Sequence, residues 1–269
     1  MKGEKTRWSL PHLESAVDRV KERNRQRIRC ILSPHGEFSM SEEKGQEAMG
    51  TLEEAIDAVA ENGLRSSVAI KPSTIGAAFD GELCKENIRR LCKRGRERRV
   101  ILEMDMETKP LVPLTMDLAK DASNYDCSMV VALQSYLDQT PSDLKEAKRN
   151  GLKVRLVKGA YGGDTDDEEE IRLRLRSLAE ILLATRSSFN LGTHDPELVD
   201  PLREKAKNEK GLLEFGFLRG LAEDTKLIMA EKGWRVSEYI PYGPGGSGYE
   251  DRRENYLKRL QRIGREPLP

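Results

Sequence analysis

The chain of 269 residues has no surplus of charge of either sign, 46 basic residues balancing 46 acidic ones. No long-range field would gather nucleic acid or an anionic bilayer, so no nucleic-acid partner is expected and any anion site must be local. No apolar run approaches the roughly 20 residues needed to span a membrane, although a peripheral membrane contact stays open. Cysteine is scarce, and Cys30, Cys84, Cys92 and Cys127 lack the close paired spacing of a zinc site. No secretory leader precedes them, so reduced thiols and a cytoplasmic location are expected. A Gly-rich dinucleotide turn is also missing after the early strand-like runs, which counts against a doubly wound open sheet. An apolar fraction of 37% with 34% charged residues fits a folded chain whose helices each keep one solvated face.

What is present is a repeated alternation. Short β-rich runs fall at 28–32, 67–71, 100–105, 129–134, 154–157, 188–193, 213–217 and 236–240. Amphipathic Glu/Lys/Arg-rich stretches follow them at 43–62, 82–94, 114–123, 142–150, 168–185, 196–208, 218–232 and 249–263. Parallel strands need such crossovers, and eight units of this kind predict one α/β domain over 1–269, a (β/α)8 TIM barrel. An additional N-terminal helix is expected within 1–27, at 11–27.

A barrel puts its chemistry at the carboxyl ends of its strands. There the sequence sets Lys71, Asp105, Gln134, Arg155, Lys158, His194 and Tyr239, with Glu214 on the seventh strand. Single polar strand residues are often rim residues satisfied by a neighbour, but seven strands contributing at one end point to a site. The run 154–161, Val-Arg-Leu-Val-Lys-Gly-Ala-Tyr, is the most informative: two cations flank an apolar core and open into a small pair, Gly159-Ala160, that lets backbone approach a ligand. Arg252-Arg253 near the start of the last helix suits a small carboxylate, because arginine offers a planar fork of donors. His35 and Glu37 follow the first strand and could line a pocket mouth, and His12 is expected at the surface. The acidic run 164–170 reads as a helix start rather than a metal site, and no metal is expected.

Assembled in order, these segments resemble the proline dehydrogenase family of flavin-dependent barrel enzymes, from about Leu32 to Arg259. The matching motifs are Ile70-Lys71-Pro72-Ser73 with Ile75-Gly76, Met104-Asp105-Met106-Glu107, Leu133-Gln134-Ser135-Tyr136-Leu137 and Arg155 through Tyr161. Thr193-His194-Asp195, Glu214-Phe215, and Tyr239-Ile240-Pro241-Tyr242-Gly243 followed by Tyr249 and Arg252-Arg253 complete the set. The resemblance implies catalytic roles for Asp105, Arg155 and Tyr239, and substrate binding by Lys71, Tyr249, Arg252 and Arg253. It implies FAD binding by Met106, Gln134, Arg155, Lys158, Gly159, Ala160, Thr193, His194 and Glu214. Met104 and Met106 also read as barrel packing.

The implied reaction is oxidation of L-proline to Δ1-pyrroline-5-carboxylate by hydride transfer to FAD, with quinone or another acceptor taking the electrons. No fused aldehyde dehydrogenase segment is present, so the resemblance is to the monofunctional type, with a separate pyrroline-5-carboxylate dehydrogenase acting downstream. Two other readings stand beside it: a related flavin barrel such as a methylenetetrahydrofolate reductase, against which the arginine pair argues, and a barrel that binds without catalysing. Three positions depart from the family pattern. Gly216 stands where a glutamine is usual, which predicts a lost polar contact. The run 245–248, Gly-Gly-Ser-Gly, stands where an aromatic residue is common, and the stretch 244–248 reads as a flexible lid. Tyr256 takes the place of an acidic residue, with Glu254 close enough in sequence to compensate.

Overall fold

In a computed structural model, which describes residues 7–36, 38–262 and 264–269, the apolar runs pair as parallel strands. The first six residues of the N-terminal extension, Glu37 at the expected pocket mouth and Ile263 at the expected end of the last helix lie outside the described residues. The strands are β1 (Arg29–Pro34), β2 (Ser66–Ile70), β3 (Ile101–Met104), β4 (Met129–Gln134), β5 (Lys153–Val157), β6 (Phe189–Gly192), β7 (Leu213–Leu218) and β8 (Arg235–Tyr242). Each pairs with the next and β8 returns to β1, closing the expected barrel. The helices are α1 (Leu13–Arg25), α2 (Glu42–Glu61), α3 (Gly81–Arg98), α4 (Val112–Ser123), α5 (Thr140–Arg149), α6 (Glu168–Ala184), α7 (Pro196–Lys205), α8 (Glu223–Glu231) and α9 (Ser247–Arg262).

Period-two alternation explains the layering. Outward strand residues such as Leu32, Val68, Leu102, Val131, Leu156, Leu191 and Phe215 are buried against the helices and form the main core. The inward residues are unusually polar. Arg29 donates to Glu214 (2.9 Å) and Glu103 (2.8 Å), Ser67 donates to Glu103 (2.5 Å), and Asn190 donates to Glu214 (2.8 Å) and Ser237 (3.0 Å). Each buried carboxylate is thus met by a cation or a donor, the condition for tolerating charge in a low-dielectric interior. Burial alone would push Glu214 up, but the Arg29 and Arg235 charges hold it below its ordinary range.

The helix ends follow local chemistry. His12 is exposed and caps α1, its Nδ1 accepting from Ser15 N–H, while the acidic run opens α6 with Asp167 accepting from Glu169 and Glu170 N–H. Helix α8 starts at Glu223, five residues after the expected 218, because β7 runs on through Leu218 and the link carries left-handed Gly220 and Ala222 (φ +83° and +53°). Helix α1 packs outside β1 and β8, where Arg23 donates to the fully buried Glu238 (2.8 Å). Burial would raise Glu238, yet Lys226 and Arg23 lower it to about 2. No helix among the described residues is long and apolar enough to cross a membrane.

Candidate active site

A cavity of about 480 Å³ opens at the carboxyl end of the barrel, within the size range of small-molecule sites. Lys71, Asp105, Met106, Gln134, Arg155, Lys158, Gly159, Ala160, Thr193, His194, Tyr239, Tyr249, Arg252 and Arg253 all line it. The structure does not bring Glu214 there. It is the second residue of β7, in register with Asn190 and Arg235 near the barrel floor, and its carboxylate is taken by Arg29 and Asn190.

The mouth on the β1, β2, β3 and β8 side is one connected polar cluster. Tyr239 donates to Asp105 Oδ2 (2.6 Å) and lies 2.7 Å from Ser33 Oγ. Lys71 Nζ donates to Ser33 Oγ (3.0 Å) and stands 3.9 Å from Asp105 Oδ2. Arg155 donates to Glu103 Oε2 (2.9 Å) and also pairs with Asp105, its guanidinium 5.5 Å from the Tyr239 ring centroid. Burial, reinforced by the Asp105 charge, pushes the Tyr239 phenol well above its ordinary value, so it remains a donor. Lys71 is placed by the turn after β2, where Ser73 donates through both N–H (2.8 Å) and hydroxyl (2.6 Å) to the buried Glu107.

The opposite wall comes from β4 to β7. The aromatic ring of Tyr136 fills the space beside Gly159 and Gly163: a Cβ on either would fall 1.8 Å or 2.2 Å from a ring atom. With φ at +129°, Gly159 is also in a backbone region that favours glycine. Lys158 donates to Glu168 (3.0 Å), which Arg259 also holds, and lies 5.7 Å from the Tyr256 ring centroid. His194 Nε2 accepts from Leu218 N–H (2.9 Å); burial, with Lys226, Arg253 and Lys158 nearby, lowers it to about 3, so the imidazole is neutral. Thr193 is buried beside it and accepts from Asp195 N–H (3.3 Å).

Helix α9 roofs the cavity. Arg253 lies 5.1 Å from the Tyr249 ring centroid and Arg252 4.8 Å from that of Tyr161. Both arginines sit in the second turn, so the positive helix end adds little and their own forks must do the binding. The buried Arg253 Nε and Tyr249 hydroxyl have no partner among the described residues, and burial pushes Tyr249 up to about 12. Two orphaned donors beside a cation fit an anionic ligand.

The departures from the family pattern find physical answers. A Cβ at Gly216 would fall 2.7 Å from Asn190 Oδ1, so the neighbouring strand's amide occupies the space of the expected glutamine. A Cβ at Gly246 would fall 2.5 Å from His35 Nε2, and the His35 ring stands 5.7 Å from that of Tyr249. Part of the run read as a lid is already helical, since α9 begins at Ser247. Glu254 accepts from Trp8 Nε1 (2.6 Å) and ties α9 to the N-terminal segment. Sequence reasoning misses Ser33, Glu103 and Asn190, and it holds Tyr136 only as a member of a matched motif, with no role of its own. Ser33 and Glu103 alternate with Ile31 and Asp105 on inward positions, a signal that period-two reading could have used.

A closed parallel barrel with a cation-lined cavity at its carboxyl end, roofed by a helix carrying paired arginines, defines a barrel enzyme for a small anionic substrate. The family model described as proline dehydrogenase matches residues 16–175, and the chain belongs to that family. It is therefore an oxidoreductase acting on proline, and membership implies a flavin cofactor. Proline dehydrogenase 2 of Bacillus subtilis strain 168 is 26% identical over 247 residues, covering 89% of this chain and 81% of its own. Proline dehydrogenase of Deinococcus radiodurans is 29% identical over 253 residues, covering 90% and 82%. Among solved structures, proline utilization A from Bdellovibrio bacteriovorus, inactivated by N-propargylglycine, superposes with a TM-score of 0.79 at 23% identity. The match covers 89% of this chain but only 31% of that longer one, and it shows the shared fold.

Proposed function

We propose that the chain binds FAD and oxidises L-proline to Δ1-pyrroline-5-carboxylate, with its cavity divided between a carboxylate cage and a flavin wall. The observation that carries this division is the distribution of donors. Lys71 stands 3.9 Å from Asp105 at the end of β2, and Arg253 lies 5.1 Å from the ring of Tyr249, whose hydroxyl is orphaned, while Gln134, Lys158 and Thr193 come from the ends of β4, β5 and β6. The donor set fits the flavin: Gln134 offers an amide, Lys158 an ammonium and Thr193 a hydroxyl, matching the carbonyl, ring-nitrogen and hydroxyl acceptors of such a cofactor.

FAD, when bound, supplies the two-electron acceptor for the hydride that leaves the carbon beside the proline nitrogen. Lys71, Arg252 and Arg253 hold the substrate carboxylate, and the planar arginine forks fix its orientation. Tyr239 and Tyr249 wall the pyrrolidine ring and keep water away from it. Asp105, tied to Arg155, Tyr239 and Lys71, holds these groups at fixed spacing. The buried Arg155 guanidinium favours the extra negative charge of a reduced ring. On this reading electrons pass on to quinone or another acceptor, and a separate pyrroline-5-carboxylate dehydrogenase takes the product in the cytoplasm.

The test compares proline with prolinamide, which keeps the ring and loses the carboxylate. The carboxylate cage predicts kcat/KM for prolinamide lower by roughly a hundredfold or more, since buried donors would be left unpaired. Comparable turnover of the two would remove the cage from the account.

A further inference from the structure

Tyr136 makes more bonds to its surroundings than a packing residue requires. Its hydroxyl accepts from two successive backbone N–H groups, those of Tyr161 (3.0 Å) and Gly162 (3.1 Å). Both lone pairs are then engaged, and its single proton has one destination, Gln134 Oε1 at 2.7 Å. Ala160 N–H also points to that oxygen, at 3.4 Å. The sense of the Gln134 amide is therefore not free. Its oxygen must face Tyr136, and its nitrogen must face the other way, where Nε2 donates to the Glu107 carbonyl (2.8 Å). An amide nitrogen carries two hydrogens, and the second meets no acceptor among the described residues. Gln134 lines the cavity, so this remaining N–H is what the side chain has to offer a ligand.

We propose that Tyr136 is a positioning residue for the cofactor: it locks Gln134 as an N–H donor to an acceptor atom of the flavin ring, and clamps the 159–163 backbone in the same act. The inference rests on the flavin-binding reading above and fixes the direction of one contact within it. Gly159 and Gly163 lie against the faces of the Tyr136 ring, where a Cβ would fall 1.8 Å and 2.2 Å from it, so the signature glycines and the tyrosine make one device. A donor at the ring's acceptor edge favours the electron-rich reduced form, so losing it lowers the flavin's midpoint potential as well as its affinity.

The experiment measures FAD affinity by fluorescence quenching and midpoint potential by dye-coupled reduction, in the wild-type chain, Tyr136→Phe, Gln134→Met and the double variant. Tyr136→Phe keeps the ring between the glycines, and Gln134→Met is neutral and nearly isosteric. The expected result is a fivefold to tenfold loss of FAD affinity in each single variant, about one hydrogen bond, with the potential lowered in both. If Tyr136 acts through Gln134, adding Tyr136→Phe to Gln134→Met shifts the potential no further. Additive shifts, or an unchanged potential in Tyr136→Phe, would overturn the proposal. A wild-type chain that binds no FAD would instead bring down the flavin reading itself, which separates the two failures.

Discussion

Asp105 and Tyr239 meet across the barrel mouth, the carboxylate just past β3 accepting a 2.6 Å hydrogen bond from the phenol on β8. Strands β3 and β8 are not neighbours in the sheet, so this bond spans the cavity rather than the ladder. Through Asp105 it reaches Arg155 and Lys71, and through Ser33 it reaches Lys71 again. The Tyr239→Phe variant keeps the aromatic wall and removes the donor. Its kcat/KM for proline should fall about ten- to a hundredfold, the range for a hydrogen bond to a charged partner, with FAD affinity little changed. Steady-state kinetics beside an FAD titration check this.

Arg155 and Arg253 should respond differently to the same truncation. Arg155 is buried between Glu103 and Asp105, so Arg155→Ala takes one cation from each carboxylate, leaving Arg29 on Glu103 and Lys71 near Asp105, and should cost about 1–3 kcal/mol of stability in urea melts. Arg253 is half-buried on α9, and Arg253→Ala should leave the melt nearly unchanged while raising KM for proline at least tenfold. Equal destabilisation by both would contradict the separation of scaffold from cage.

Much of the barrel is legible because parallel strands buried on both faces leave short β-rich runs between amphipathic helices; the run 129–134 has the same bounds as β4. Glu214 shows where motif reading stops. A matched motif says which strand a residue belongs to but not where its side chain is spent: Glu214 lies opposite Asn190, which lines the cavity, yet its own carboxylate is taken by Arg29 and Asn190. The filling of Gly216 by Asn190 and of Gly246 by His35 depends on side chains from neighbouring strands and loops, which no local pattern records. Lys71, Asp105 and Lys158 were readable because each lies just beyond a strand end, the place where a barrel presents chemistry.

Gly159→Ala offers a sharp packing test. The new Cβ would meet the Tyr136 ring at 1.8 Å, at a position whose φ of +129° already disfavours a side chain. The variant should lose about 2–4 kcal/mol and most of its FAD affinity, from overpacking and backbone strain together. Thermal melts of the apo chain and FAD titration read the two effects, and Gly162→Ala, whose Cβ meets nothing within 4 Å although its φ of +157° also disfavours a side chain, separates backbone strain from the clash with the ring.

The buried neutral His194 makes the fold acid-sensitive in a defined window. Its ordinary value of 6.5 drops to about 3 in the folded chain, so below pH 6.5 the unfolded state binds more protons and stability falls as pH falls. Carboxylates held low by partners, Glu238 among them, add their own losses only near and below their ordinary 4.5. Between pH 6.5 and 4.5 His194 lowers stability as pH falls, while Glu107 and Asp143, whose carboxyls burial pushes up, act in the opposite sense. Urea midpoints should decline across that interval in the wild type and much less in His194→Gln.

The most direct measurement of the central claim is the visible spectrum of the FAD-loaded protein before and after anaerobic L-proline. The account predicts loss of the oxidised flavin band at about 450 nm on adding proline, and a loss slower by roughly a hundredfold or more with prolinamide at the same concentration. A bound flavin that proline leaves oxidised while a reduced nicotinamide nucleotide bleaches it, or a chain that holds no flavin at all, would contradict it.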